Sequence, residues 1–492
     1  MYQKNEILEI EITDITNDGE GVGKCDGFTF FVKDTLIGDR VKIGVTKLKK
    51  SYGYGRLVEI ITPSPDRISP KCSVSRACGG CQIQNMSYEA QLRFKTQKVK
   101  NNLIRIGGFP EELIEEITEP IIGMDENCFG YRNKAQFPFG TDKDGNPICG
   151  FYAGRTHSII SNTDCALGVP ENEIILKKIL SWMKQYGISS YDELSHNGVL
   201  RHVLIRKGFY SGQLMICLVI NVNKLPHSSE LIDMLKNIPG MTSISVSLNQ
   251  KNTNVIMGDN YEVLWGEPTI EDTLLGQRYS ISPLSFYQVN PIQVEKLYGT
   301  AIEYASLTGS EEVWDLCCGI GTITLSMAGH ASKVHGIEIV PQAIEDAKNN
   351  ARLNHIENAE FICAPAEEYL PSHSSEIRAD VIVMDPPRKG MDEKALEVVV
   401  AASPSKIVYV SCDSATLSRD LKYLCSNGYQ LERIRPVDMF PQTVHVETVV
   451  LMSKNPYRGK LDGMYKKKPE NSESKRVTTP PIDFGYAYSE KR

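Results

Sequence analysis

A cysteine at the carboxyl end of a β-branched run, in VYVSCDSATLSRD (Val408 to Asp420), is the residue of this chain best placed to act as a nucleophile. The turn residues Asp413 and Ser414 then open a helical pattern, so Cys412 stands at a strand-to-helix junction, where the ligands and reacting groups of an α/β sheet collect. A structural cysteine more commonly fills space inside a strand or helix. Two acids occupy comparable positions. Asp385 closes the apolar run VIVMD, and Pro386-Pro387 stop the backbone there in a rigid extended turn. Glu447 stands in HVETVV, where it could equally be an ordinary strand-end acid. A thiol nucleophile beside carboxylates that can take a proton is the chemistry this set offers.

A glycine loop lies upstream in VWDLCCGIGTITL, Val313 to Leu325. Gly319 and Gly321 permit a tight turn and a close approach of backbone to ligand, and Glu338 ends the next strand where a carboxylate can hold two ribose hydroxyls. Thr324 replaces the third glycine of the dinucleotide pattern, which disfavours NAD. D-x-x-x-G-x-G followed by an acid at the tip of the second strand resembles S-adenosylmethionine methyltransferases.

A third constellation is Cys72, Cys78, Cys81 and the distant Cys165. Four thiolates at C-x5-C-x2-C plus one suit either tetrahedral zinc or a [4Fe-4S] cluster, and spacing does not separate them. Cys25, Cys128, Cys149, Cys217, Cys363 and Cys425 have no partner spacing and read as small buried hydrophobes.

These residues need elements to position them. At 492 residues the chain has room for about two to four domains. Residues 1–62 alternate in short strands between glycine and aspartate turns, a small OB-like β-barrel pattern. Residues 63–270 form an α+β central region that carries the four cysteines, and its helical part, about 88–122, could pack on the catalytic domain. Residues 271–455 alternate β and α patterns, as in a doubly wound, Rossmann-like α/β domain. Residues 456–492, with YKKKPENSESKR, read as a disordered basic tail.

The net charge of −7 speaks against nucleic acid, but its distribution does not. Between residues 65 and 105, Arg67, Lys71, Arg76, Arg93, Lys95, Lys98, Lys100 and Arg105 face only Asp66 and Glu89, and Lys47, Lys49, Lys50 and Arg56 flank Tyr52 and Tyr54. Cations for phosphates interleaved with rings for bases suit RNA, while a solvated basic face has the same composition. No apolar run reaches the roughly 18 to 20 residues of a membrane span, and the first residues lack a signal-peptide core. The expectation is a cytoplasmic monomer without membrane contact.

Asp385 in DPPR, Cys412 in SCD, Glu447 in HVETVV and the segment SFYQVN (Ser285 to Asn290) together resemble the RNA 5-methyluridine methyltransferase family, as do the GEGVG turn of a TRAM barrel and the four cysteines. The resemblance implies methylation of uracil C5 from S-adenosylmethionine, with Cys412 adding to C6 and Glu447 as base. It places Gln288, Cys317, Thr322 and Asp385 beside the cofactor with Gly319, Gly321 and Glu338, and Phe286 and Arg388 beside the pyrimidine. Arg132 in GYRNK and Arg201 in VLRHVLIR match segments lining the RNA side, where a structural salt bridge is the competing role. It also favours the [4Fe-4S] cluster on Cys72, Cys78, Cys81 and Cys165. The barrel and the cysteine set point to the branch acting on 23S ribosomal RNA. The alternatives are transfer RNA, through the same reaction, and a non-catalytic iron–sulfur RNA-binding protein.

Overall fold

The computed structural model describes residues 2–125, 127–154, 156–373 and 378–455, so the expected C-terminal tail lies outside the described residues. Five strands, β1 (Ile7–Ile15), β2 (Gly21–Cys25), β3 (Phe28–Val32), β4 (Arg40–Leu48) and β5 (Tyr52–Thr62), close a barrel in the order β1-β2-β3-β5-β4. Alternation does the work. Ile10, Ile12, Phe30, Val32, Val41, Ile43 and Val45 point inward to one core. On the outer face Phe31, Tyr52 and Tyr54 form a triad of rings with centroids 5.5 to 5.8 Å apart.

The basic segment that follows does not form a free cationic face. Helix α1 (Tyr88–Asn102) is capped by Ser87 and lies against the C-terminal part of the chain. Lys95 is wholly buried in an ion pair with Asp438 at 2.5 Å, and Tyr88 donates to the same carboxylate at 2.9 Å. Lys98 donates to the carbonyls of Asn17 and Val444, joining the barrel to the C-terminal part. Arg67 pairs with Asp39, Arg76 with Asp34, Arg93 with Asp66 and Lys100 with Glu115. Four of these acids, Asp34, Asp39, Glu115 and Asp438, lie outside residues 65–105, so much of the local charge excess is compensated by acids that a window of sequence does not contain. Val99, Leu103, Phe109 and Ile114, from α1 and from α2 (Glu111–Ile117) with the turn before it, share a hydrophobic cluster with the C-terminal sheet.

A central mixed sheet of seven strands comes next: β6 (Lys134–Thr141), β7 (Pro147–Tyr152), β8 (Ile159–Ser161), β9 (Leu200–Lys207), β10 (Leu214–Ile220), β11 (Met241–Leu248) and β12 (Glu262–Gly266), in the order β12-β11-β10-β9-β6-β7-β8. Helices α3 (Glu171–Tyr186) and α4 (Ser228–Leu235) cover it, burying Ile175, Ile179, Trp182, Leu231 and Leu235. Cys149 and Cys217 are buried as small hydrophobes, whereas Cys363 is exposed at the end of its strand, against the reading from spacing; Cys25, Cys128 and Cys425 are half-buried.

After a hairpin of β13 (Ile270–Leu274) and β14 (Gln277–Ile281) and helix α5 (Pro291–Ala305), the chain builds the last sheet. Its strands are β15 (Glu312–Leu316), β16 (Lys333–Glu338), β17 (Ala359–Cys363), β18 (Val381–Met384), β19 (Lys406–Ser411), β20 (Tyr429–Val437) and β21 (Glu447–Lys454). The order is β17-β16-β15-β18-β19-β21-β20, and the first five strands are parallel. Strand β21 runs antiparallel to both of its neighbours, so its amino end lies at the edge where the parallel strands end. That edge, beside the point where the order reverses at β15, is where such sheets bind ligands. Among the described residues no helix is long and apolar enough to cross a membrane.

Candidate active site

Register fixes the geometry of this edge. Ser411 pairs with Thr448, so Cys412, one residue later, and Glu447, one residue earlier, face each other across β19 and β21. Leu316 pairs with Ile337 on one side and Met384 on the other, which aligns Glu338, Cys317 and Asp385 one step beyond. Residues 109 positions apart in sequence, from Glu338 to Glu447, thus share one rim of about five strand ends.

The electrostatics are unusual for so small an area. Glu447 is 3% exposed, and burial, with Asp385 adding to it, holds its carboxyl well above the usual range while Arg388 opposes the rise. Cys412 is half-buried; burial first and Glu447 next push its thiol up, and Arg388 again pulls the other way. Exposed Arg388 is thus the cation that favours the ionised form of both groups. Burial followed by Asp315 raises the Asp385 carboxyl to about 7. His445, two residues before Glu447, is held neutral by burial and by Arg388, Lys98, Lys95 and Arg132.

Asp413 caps the helix Ser414–Ser426 by accepting from the backbone N–H groups of Ala415 and Thr416, which fixes the turn that presents Cys412. The glycine loop is built as tightly. Cys317 (φ 79°), Gly319 (φ 55°) and Gly321 (φ 86°) all take left-handed backbone, and a side chain at Gly319 would meet no atom within 4 Å, leaving open space above the loop. Helix α6 (Thr322–Ala328) starts from Gly321. Glu338 accepts from the backbone N–H groups of Gly319 (3.3 Å) and Val340 (3.0 Å), and beside it Ile339 and Val340 leave apolar surface exposed. Gln288, which is buried, and Thr322 both favour the ionised form of the Tyr298 hydroxyl of α5 against the effect of its burial. Phe286 is 54% exposed on the loop before α5.

Asp315 and Thr324 were legible only as parts of a motif, and the structure gives them a task. The Thr324 hydroxyl donates to wholly buried Asp315 at 2.6 Å, so the residue in place of the third glycine anchors the loop's acid, whose other carboxylate oxygen has no partner. Burial pushes that carboxyl up to about 7.

A profile described as tRNA (Uracil-5-)-methyltransferase matches residues 210–455, and one described as TRAM domain matches residues 3–58. Uncharacterized RNA methyltransferases of Halalkalibacterium halodurans and Clostridium acetobutylicum are 47% and 48% identical over 451 and 455 residues, covering 91% and 92% of this chain and 97% and 98% of their own. The chain belongs to the RNA uracil-5-methyltransferase family. A solved structure, the Pyrococcus abyssi tRNA (uracil-54, C5)-methyltransferase in complex with S-adenosyl-L-homocysteine, superposes with a TM-score of 0.73 at 27% identity over 90% of this chain and all of that one.

This RNA methyltransferase uses S-adenosylmethionine, and its loop fits that group: a cradle with room above Gly319, an anchored carboxylate at Glu338 and uncovered apolar side chains beside it. The four cysteines of the methyltransferase are also gathered. Each of Cys78, Cys81 and Cys165 is raised chiefly by burial and further by others of the set, Cys81 to about 12. One donor faces a sulfur, the Gly80 N–H on Cys78 Sγ at 3.4 Å, while the Gly168 N–H donates to the Cys165 carbonyl at 2.9 Å. Among the described residues no three His, Cys, Asp or Glu side chains come together as a single-ion site.

Arg201 is not brought to the catalytic rim. It is buried in the central sheet, donates to the carbonyls of Asn249 (2.7 Å) and Lys251 (3.0 Å), and stacks over Tyr191 at 4.2 Å. Arg132 lies between the cysteine set and the catalytic edge, its charge felt by both Cys165 and His445.

Proposed function

We propose that the enzyme methylates C5 of a uracil in RNA through covalent addition of Cys412. The observation that carries this reading is the register that sets Cys412 opposite Glu447 under the shared influence of Arg388. The Cys412 thiolate bonds to C6, and the C5=C6 electron pair moves toward the C4 carbonyl as an enolate, making C5 nucleophilic. Bound S-adenosylmethionine supplies an electrophilic methyl group and a positive charge that favours the ionised thiol and carboxylate. Once C5 carries the methyl, Glu447 takes the C5 proton; the C–H electrons restore C5=C6 and expel the thiolate. Phe286, Arg388 and Arg132 hold the pyrimidine and its strand, while Gln288, Cys317, Gly319, Gly321, Thr322, Glu338 and Asp385 line the cofactor.

Separate failures test the two roles. Cys412→Ala should bind RNA and cofactor yet give neither adduct nor product, and Glu447→Gln should accumulate a denaturation-resistant complex with methylated RNA. RNA containing 5-fluorouridine should trap the native enzyme in the same way. Turnover by Cys412→Ala, or no covalent complex with Glu447→Gln, would overturn the assignment.

The preferred RNA in this reading is 23S ribosomal RNA, supported by the barrel and the four-cysteine set. Transfer RNA is the second reading, favoured by the Pyrococcus abyssi tRNA enzyme, which superposes over its whole length. Mapping 5-methyluridine in both RNAs from cells lacking the protein separates them. In the proposed division of labour, residues 1–62 and the cysteine-bearing part of 63–270 grip RNA while residues 271–455 carry the chemistry.

Cys72, Cys78, Cys81 and Cys165 would hold a [4Fe-4S] cluster with a structural role, pinning the segment around Cys78 to the strands near Ala153, which it bridges. Anaerobically purified protein should then be brown, with about four iron and four sulfide per chain. Colourless protein carrying one zinc would replace the cluster with a zinc site.

A further inference from the structure

Three residues of the helix that follows Cys412 reach across to the turn that carries Arg388. Thr416, Arg419 and Asp420 stand at i, i+3 and i+4 in the helix Ser414–Ser426, and so on one of its faces. The Thr416 hydroxyl donates to the Arg388 carbonyl at 3.0 Å, with the Asp413 carbonyl 3.2 Å away. The Arg419 guanidinium donates to the carbonyls of Lys389 and Met391, each at 2.9 Å. Asp420 accepts from the Met391 N–H at 2.9 Å. That carboxylate is wholly buried; the Tyr409 hydroxyl donates to the same oxygen at 2.6 Å and Arg419 Nε to the other at 2.8 Å. Tyr409 belongs to β19, just before Cys412, so one buried acid joins the strand of the thiol, the helix after it and the Arg388 turn.

The turn is fitted to this face. The Gly390 N–H donates to the Pro387 carbonyl at 2.8 Å and closes it. Gly390 has φ 74°, and a Cβ there would come within 2.5 Å of Asp420 Oδ2, 2.8 Å of Arg419 Nη2 and 3.2 Å of Thr416 Cβ, so glycine is what lets the backbone approach. A turn with a glycine has backbone freedom to lose, and hydrogen bonds from three side chains to residues 388, 389 and 391 remove it. Arg388 is the residue whose placement matters, because its charge favours the ionised form of both Cys412 and Glu447. We propose that Thr416, Arg419 and Asp420 are positioning residues for the methyl transfer, a clamp on the backbone of residues 388–391 that keeps the Arg388 cation beside Cys412. This rests on the reading of Cys412 as the nucleophile. The competing role for the three is fold stability alone.

The test measures the rate of covalent adduct formation by the full-length enzyme with 5-fluorouridine RNA, at saturating RNA and S-adenosylmethionine. Thr416→Val and Arg419→Ala should each slow it about threefold and Asp420→Asn about tenfold, while Thr416→Ser, which keeps the hydroxyl, should match the native rate. The sign at Asp420 is informative, because removing an acid would by its field alone favour the thiolate and speed the reaction. Cys412 also feels Glu447, Asp385 and Asp413, and none of these is altered. Repeating the changes in an Arg388→Gln background separates positioning from stability: with the clamped cation gone, each should cost less than about twofold more. Unaltered rates, losses that multiply with that of Arg388→Gln, or a faster Asp420→Asn overturn the clamp. If Asp420→Asn does not fold, Thr416→Val at a half-buried position and Arg419→Ala at an exposed one carry the test. Adduct formation by Cys412→Ala would instead sink the underlying reading, whatever the clamp variants do.

Discussion

Two sets of cations in this methyltransferase have opposite relations to sequence. Those between residues 65 and 105 are neighbours in the chain and look like a phosphate-binding face, yet the fold commits Arg67, Arg76, Arg93, Lys95 and Lys100 to acids of its own. Arg132, Lys134 and Arg206 are scattered over 75 positions, and β-sheet register sets Lys134 against Arg206. Charge density along a chain says how many cations there are. What each of them meets depends on what the fold places opposite.

The largest effect expected from this contrast is at Lys95. Its ammonium and the Asp438 carboxylate are both wholly buried, so Lys95→Met leaves an unpaired acid whose remaining side-chain partner is the Tyr88 hydroxyl. Denaturant unfolding should show a loss of about 3 to 5 kcal/mol, and adding Asp438→Asn should recover much of it. The salt slope of RNA binding should not move in either variant. A weakened slope with little loss of stability would place Lys95 with the RNA-facing cations instead.

The contrast also explains what the sequence disclosed. Cys412, Asp385 and the glycine loop were legible because a strand end, its turn and the first helical residues are contiguous, and each motif names its own position at the sheet edge. That β15 through β19 would be parallel followed from the alternation of β and α patterns. The pairing of Cys412 with Glu447 was not legible, because it depends on β21 entering antiparallel beside β19. In VLRHVLIR, strand alternation sets Arg201 and Arg206 on opposite faces but does not say which face meets the Ser285 loop and which meets the carbonyls of Asn249 and Lys251. Register and long-range partners are set by packing between elements, and no local pattern encodes them.

A smaller effect, with a definite sign, follows from Lys134. In the unfolded chain its amine keeps a proton up to its ordinary value of 10.5, while in the folded protein it gives the proton up at about 7. Between those values the unfolded state binds more protons, so this group makes stability rise with pH. Below pH 7 both states are charged and the folded state bears the full penalty of burial and of repulsion from Arg206 and Arg132; above the unfolded value both are neutral and the penalty is gone. Neither arginine titrates in that window. Lys134→Met should therefore stabilise the RNA-free protein most at pH 6, by about 1 to 2 kcal/mol after allowance for partial exposure and relaxation, with the gain shrinking steadily toward pH 10. Paired denaturation curves at pH 6 and pH 9 measure this directly. A gain of equal size at both values would mean that Met improves packing and that burial of the charged ammonium beside Arg206 and Arg132 is not the cause.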